Sequence, residues 1–124
     1  MLVDCGSASK GKYLVKSIKE RNIERIDYVF LTHPHEDHMG GMKEIISNFK
    51  VDKIVLPNID TGKVTAKWFH KLMSTLINDK YDLEIAEKGK IYSLDDVEIK
   101  VISDASYHGA NINNYSTVLK ITYG

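Results

Sequence analysis

Residues 31–41 read Leu-Thr-His-Pro-His-Glu-Asp-His-Met-Gly-Gly, and the rest of the chain is organised around them. Four side chains that can bind a metal ion fall within six residues of this stretch, namely His33, His35, Asp37 and His38. The continuous apolar run just before them predicts a strand that is buried on both faces. The paired glycines that follow allow a helix to begin close to the loop. Imidazoles and a carboxylate at this spacing can converge on one point, which predicts a site for one divalent cation or for two neighbouring ones.

The residue types in this loop are those that zinc prefers. Zinc binds His nitrogen and carboxylate oxygen, and catalytic zinc sites keep one position open for water. Two ions about 3.5–4 Å apart would also stabilise the attacking and leaving oxygens of a phosphoryl or acyl transfer. A loop of merely solvated polar residues is the alternative, but it does not account for four residues able to bind metal in this order. We therefore predict one or two zinc ions, with manganese as the other candidate metal, and we predict Asp37 as the catalytic residue. The neighbouring Glu36 is predicted to be a surface charge.

Length, charge and cysteine content narrow the class of protein. The chain has 124 residues, which predicts a single domain over residues 1–124. Lys plus Arg equals Asp plus Glu, so the formal net charge of zero argues against binding nucleic acid by bulk charge alone. The lone Cys5 excludes an internal disulfide and fits a reducing compartment. No apolar run reaches the length of a membrane span, which predicts a cytoplasmic protein or a soluble domain of a larger, membrane-associated one.

Residue patterns predict the element order βαβαβα followed by ββββ. The predicted strands are residues 1–5, 27–32, 53–56, 83–86, 90–94, 97–102 and 117–123, and the predicted helices are residues 10–21, 39–49 and 65–78. Residues 87–89 and 95–96 have the composition of hairpin connections. Strand–helix alternation followed by hairpins favours an α/β fold with one mixed sheet and helices on one face. Such a sheet would leave its other face open, which predicts a homodimer formed through that face.

The metal-type loop also carries a resemblance to a known family. Residues 32–41 resemble the His-x-His-x-Asp-His signature of the metallo-β-lactamase fold superfamily, and residues 2–6 resemble the first short motif of that superfamily. Residues 26–33, 51–57 and 113–124 are similar to the hydrolase domain of ComEC-type competence proteins, which take up DNA. The resemblance implies an αβ/βα sandwich of which about half is present, so that the domain is incomplete at both ends.

The resemblance also implies roles for individual residues. By it, His33 and His35 bind one metal ion, Asp37 and His38 bind a second, and Asp4 braces the metal loop. A further ligand is implied in the polar loop over residues 103–116.

In that polar loop, His108 and Asn113 are the two alternatives for the further ligand. A bridging Asp and a final His are expected on later strands, beyond Gly124. If the full site is completed, the implied function is that of a metal-dependent hydrolase, with phosphodiesterase or nuclease action on DNA as the specific form. The alternative is a catalytically incomplete metal-binding half-domain that pairs with another chain or is a remnant.

Overall fold

Short apolar runs in the first two thirds of the chain form a four-stranded parallel sheet in this computed structural model, which describes residues 1–104 and 116–124. The strands in spatial order are β1 (Leu2–Val3), β2 (Arg25–Phe30), β3 (Lys50–Leu56) and β4 (Leu83–Ile85). The helices between them are α1 (Gly11–Lys19), α2 (Glu36–Met39), α3 (Met42–Asn48) and α4 (Lys67–Asn78). The four strands lie in the same order in the sheet as in the chain. Each connection between two parallel strands contains a helix, and each strand pairs with the next one along the chain. None of the helices in the described ranges has the length and apolar character needed to cross a bilayer.

The helices cover one face of this parallel sheet. Val29 of β2 and Ile54 of β3 are fully buried on that face. Val15 of α1, Ile45 of α3 and Leu76 of α4 belong to the same buried cluster. Each such side chain removed from water stabilises the fold by about 1.5–3 kcal/mol. The predicted α/β fold with helices on one face is confirmed.

The remaining strands form a second sheet. Strands β5 (Ile91–Leu94), β6 (Val97–Asp104) and β7 (Thr117–Tyr123) make a three-stranded antiparallel sheet. The predicted two-residue hairpin at residues 95–96 is confirmed, since Leu94 pairs with Val97. The predicted hairpin at residues 87–89 is wrong, because this segment leaves the parallel sheet after β4 and leads into the antiparallel one. Parallel and antiparallel strands therefore lie in two sheets and not in one mixed sheet.

The antiparallel sheet covers the second face of the parallel sheet. Phe30 and Val55 point to that side, where they pack with Tyr92, Ile99 and Val101 in a separate buried cluster. The rings of Phe30 and Tyr92 meet edge to face, with centroids 5.3 Å apart and planes at 82°. The prediction that this face is open is therefore wrong.

Exposed apolar surface is instead found on β7. Ile121 is 50% exposed and Tyr123 is 80% exposed. They pair with Ile99 and Val97 of β6, and directly paired residues share one face of a sheet. Because β7 lies at the edge of the sheet, its side chains on this face stay partly exposed, whereas Ile99 on the same face is fully buried.

The helix predicted over residues 39–49 is shorter in the structure, where it is α3 (Met42–Asn48), and the short helix α2 precedes it on the other side of Gly40 and Gly41. The loop after β1 contacts the chain at this point: Cys5 N donates to His38 O at 2.7 Å, and Gly41 N donates to Gly6 O at 3.0 Å. A Cβ on Gly41 would lie 2.2 Å from the Cys5 carbonyl oxygen. This close approach of two backbone segments therefore requires glycine.

Replacing Gly41 with Ala should destabilise the protein by roughly 2 kcal/mol or more, because the added methyl group meets a backbone atom that cannot swing aside. Urea unfolding measured by circular dichroism checks this. Gly62→Ala is the matched control, since its Cβ would meet Asp60 Oδ1 no closer than 3.2 Å. Equal unfolding midpoints for the two variants would contradict the packing argument.

Candidate metal centre

The metal-type loop begins at the carboxyl edge of the parallel sheet. β2 ends at Phe30, and Leu31 continues it as a buried residue whose N donates to Val55 O of the neighbouring strand at 2.9 Å. His35 has an extended backbone (φ −112°, ψ 147°) and immediately precedes α2. Ligand sites of open α/β sheets lie outside the carboxyl ends of the strands, which is where this loop stands.

Three of the predicted ligands come together in one group. The metal-binding atoms of His33, His35 and Asp37 all lie within 4.8 Å of one another. Both imidazoles are half-buried, whereas the Asp37 side chain is 71% exposed. Two imidazoles and one carboxylate are a donor set that zinc accepts. The exposed carboxylate leaves one side of the group accessible to water or substrate.

His38 stands beside this group. Its ring centroid is 3.8 Å from that of His33, and its Nε2 is 3.8 Å from Asp37 Oδ1. On its other side, His38 Nδ1 lies 2.8 Å from Asp4 Oδ2. A carboxylate only accepts hydrogen bonds, so Nδ1 donates and Nε2 is left free on the side of Asp37. Asp37 and His38 together could therefore hold a second ion next to the first.

The carboxylate of Asp4 also orients His33, through Thr32. Thr32 N donates to Asp4 Oδ1 at 2.8 Å, and Thr32 Oγ1 donates to Asp4 Oδ2 at 2.6 Å. Thr32 Oγ1 also lies 3.2 Å from His33 Nδ1. A hydroxyl has one hydrogen, so here it accepts from His33 Nδ1, and His33 presents its free Nε2. Histidines that bind metals are commonly fixed in this way by a partner on the other ring nitrogen.

The surroundings of His33 favour its neutral form. Burial is the largest cause that lowers the pKa of His33 below 6.5, and the charges of His38 and His35 lower it further. The carboxylates of Asp4 and Asp37 oppose this shift but do not reverse it. Only a neutral imidazole can donate its lone pair to a metal ion. The lowered pKa therefore suits His33 to metal binding at neutral pH.

Three further residues were considered in the sequence analysis, namely His108, Asn113 and Cys5. His108 and Asn113, the alternatives for a further ligand, lie outside the described residues, so both stay predictions. Cys5 is buried, and burial followed by the charge of Asp4 raises the pKa of its thiol to about 12. Its Sγ donates to Met42 Sδ at 3.5 Å, and Cys5 does not belong to the group formed by His33, His35 and Asp37.

One contact of the metal loop was not predicted. Glu36 is exposed, as a surface charge should be, but its Oε1 also accepts a hydrogen bond from Ala8 N at 2.7 Å. The two residues are 28 positions apart, and no local pattern signals the contact. It ties the start of α2 to the segment that follows β1.

Known proteins match nearly the whole chain. The family model of the metallo-beta-lactamase superfamily matches residues 1–115. ComE operon protein 3 of Bacillus subtilis is 26% identical over 91% of this chain and 14% of its own length. Ribonuclease Z of Bacillus thuringiensis is 30% identical over 99% of this chain and 40% of its own length. The chain thus spans less than half the length of these two relatives.

Solved structures give the same fold. A metallo-β-lactamase with a HARLDQ motif from Cronobacter sakazakii superposes with a TM-score of 0.65 at 14% identity, over 98% of this chain and 46% of that one. A mutant of the Cronobacter sakazakii HARLDQ-motif protein superposes with a TM-score of 0.66 at 17% identity, over 98% of this chain and 48% of that one. The predicted sandwich fold and the resemblance to competence proteins are both confirmed. The chain belongs to the metallo-β-lactamase superfamily.

Proposed function

We propose that this chain carries the metal-binding part of a hydrolase that cleaves phosphodiester bonds in nucleic acid. The observation that carries the proposal is the convergence of His33, His35 and Asp37 within 4.8 Å. The name of ribonuclease Z supports a nucleic-acid substrate, and so does the resemblance to proteins of DNA uptake. The phosphodiester bond is the feature that RNA and DNA share.

In this proposal, His33 and His35 hold one zinc ion, and Asp37 with His38 holds a second. Zinc held by these residues would supply Lewis-acid chemistry, lowering the pKa of water and offsetting negative charge on the phosphoryl oxygens. Manganese is the alternative metal. Asp37 is the proposed catalytic residue, because its carboxylate is 71% exposed and its oxygen that does not bind the ion could accept a proton from the attacking water. Asp4 keeps two of the imidazoles in the tautomer that presents Nε2.

The balance of charges places a condition on substrate binding. A chain with zero net charge has little long-range attraction for a polyanion. Phosphate must then be bound by local contacts, and the bound metal ions are the strongest of these. We therefore expect substrate affinity to depend on metal more than on bulk ionic strength.

His35→Ala should abolish metal-dependent hydrolysis, because it removes one of two imidazoles from the same ion. The assay measures turnover of bis-p-nitrophenyl phosphate and of single-stranded DNA and RNA with added zinc or manganese. It uses this chain and any longer protein that contains it. His70→Gln, on α4 and outside the loop, is the control and should keep full activity. Equal turnover by wild type and His35→Ala, or turnover by neither in the longest form, would contradict the proposal.

Asp4→Asn should weaken zinc binding by roughly 10- to 100-fold while the protein stays folded. Asn tolerates the left-handed backbone at this position (φ 57°), but its neutral amide holds His38 less strongly. Isothermal titration calorimetry gives the affinity and the number of ions bound. Asp27→Asn is the matched control, since Asp27 pairs only with exposed Arg25 at 3.1 Å in the described part of the chain. Unchanged zinc affinity in Asp4→Asn would show that Asp4 does not orient a ligand.

A second candidate function is that of a metal-binding half-domain which pairs with another copy. The exposure of Ile121 and Tyr123 on the edge strand β7 favours it. If β7 forms the interface, sedimentation should show a dimer, and Tyr123→Lys should shift it toward monomer by placing a charge in an apolar contact. Tyr13→Lys, at an exposed site on α1, is the control. A wild-type monomer at high concentration would contradict pairing between copies, and tight binding of two zinc ions would favour the hydrolase.

A further inference from the structure

Helix α2, which carries Asp37 and His38, is too short to hold its own position. It spans only the four residues Glu36–Met39. Isolated helices shorter than about 12–15 residues are marginal in water, so contacts with the rest of the fold must place this single turn. The position of the Asp37 carboxylate therefore depends on the points at which those contacts hold α2.

The second half of α2 is anchored by its backbone and by a buried side chain. His38 O accepts a hydrogen bond from Cys5 N at 2.7 Å, and just beyond the helix Gly41 N donates to Gly6 O at 3.0 Å. The side chain of Met39 is fully buried in the core under the helices. None of these three contacts involves the first residues of the helix.

The first half of α2 is held by the side chain of Glu36. Its Oε1 accepts a hydrogen bond from Ala8 N at 2.7 Å, which joins the start of the helix to the short 3-10 turn over Ala8–Lys10. A hydrogen bond to an ionised acceptor is stronger than one between neutral groups. His35, which precedes the helix, makes no capping hydrogen bond with its side chain. The contact of Glu36 with Ala8 thus anchors this end of the helix.

The glycine after α2 leaves room for this hydrogen bond. A Cβ on Gly40 would lie 2.6 Å from Ala8 N and 2.6 Å from Glu36 Oε1, which are the donor and the acceptor. It would also lie 2.5 Å from Glu36 O. A side chain at position 40 would therefore displace the Glu36 carboxylate from Ala8, so that glycine at this position and glutamate at position 36 belong to one contact.

The Asp37 carboxylate has little support of its own. Its side chain is 71% exposed, and its Oδ1 lies 3.8 Å from His38 Nε2, which is too far for a hydrogen bond. Its carboxylate oxygen nevertheless lies within 4.8 Å of the ring nitrogens of His33 and His35. The backbone of α2 must therefore hold Asp37 beside the two imidazoles.

We propose that Glu36 is a positioning residue, whose hydrogen bond to Ala8 N holds the start of α2 so that Asp37 faces the imidazoles. Glu36 does not belong to the group formed by His33, His35 and Asp37, so it acts through the backbone and not as a ligand. This role rests on the metal binding proposed above. It gives a function to a side chain that the sequence predicts only as a surface charge.

Two conservative variants separate the hydrogen bond of Glu36 from its charge. Glu36→Gln keeps an acceptor oxygen at the same reach and loses the charge, whereas Glu36→Asp keeps the charge on a side chain one methylene too short to reach Ala8 N. Zinc affinity, measured by isothermal titration calorimetry, should match wild type in Glu36→Gln and fall roughly 10-fold in Glu36→Asp and in Glu36→Ala. The reverse order of Glu36→Gln and Glu36→Asp would assign the effect to charge and overturn the proposal.

Cobalt(II) supplies a readout that a loss of stability alone would not change. Its visible absorption depends on how the ligands are arranged, so the spectrum of the cobalt-loaded protein should change in Glu36→Asp and Glu36→Ala and not in Glu36→Gln. Thermal melting of the metal-free variants should match wild type, because the contact is exposed. Glu20→Ala is the matched control, since Glu20 is also exposed and its carboxylate forms no ion pair in residues 1–104 and 116–124. It should leave both zinc affinity and the cobalt spectrum unchanged.

The outcomes distinguish this role from the metal centre itself. Wild-type zinc affinity in Glu36→Ala would overturn the positioning role and leave the proposed hydrolase intact. The same holds for a lower melting temperature of Glu36→Ala together with an unchanged cobalt spectrum, because Glu36 would then serve stability alone. A wild-type protein that binds no zinc would overturn the proposed metal centre and the role of Glu36 with it.

Discussion

The carboxylate of Asp4 accepts three hydrogen bonds, and the metal-type loop depends on them. They come from Thr32 N, Thr32 Oγ1 and His38 Nδ1, at 2.8, 2.6 and 2.8 Å. To reach these partners the chain turns sharply after β1, with Asp4 at φ 57°, a conformation that costs most residues about 1–2 kcal/mol. The turn is possible because Gly41 lets the two backbone segments touch. Strand end, strained residue and glycine thus serve one purpose, which is to hold His33 and His38 in orientations that leave Nε2 of each ring free.

The parts of the fold that could be predicted are those encoded by neighbours in sequence. Four residues able to bind metal within a stretch of six predict the metal loop, and the spacing of apolar residues predicts helices such as Lys67–Asn78. The division into two sheets could not be predicted in this way. A segment rich in turn residues after β4 suits a hairpin or a crossover equally well, and the contact of Phe30 with Tyr92 that decides between them spans distant parts of the chain. The short helix α2 could not be predicted for the same reason, because the contacts that Cys5 and Ala8 make with its residues come from distant parts of the sequence.

Contact between the two sheets is not apolar alone. Glu84 of the parallel sheet accepts a hydrogen bond from the Tyr92 hydroxyl of the antiparallel sheet at 2.6 Å and pairs with Lys53 at 2.9 Å and with Lys90. Partly exposed ion pairs of this kind add little stability, typically below about 1 kcal/mol. These contacts instead fix the orientation of the two sheets. Because the Glu84 carboxylate contacts residues of both sheets, few relative positions of Phe30 and Tyr92 are allowed. The second sheet then holds β2 in place, and β2 leads directly into the metal loop.

The proposed metal binding and the proposed hydrolysis place different demands on this chain. The proposed ligands His33, His35, Asp37 and His38 all lie on one short loop, so that bringing them together closes little chain and costs little entropy. Asp4 has already fixed two of the imidazoles, which reduces that cost further. Hydrolysis additionally requires that water and the scissile bond be aligned, commonly to within about 1 Å, by groups around the ions. The solved structures to which this chain is similar are about twice as long, since the chain covers 46% and 48% of them. The proposed binding of zinc thus rests on residues of one short loop, whereas the proposed hydrolysis would also depend on the groups that surround that loop.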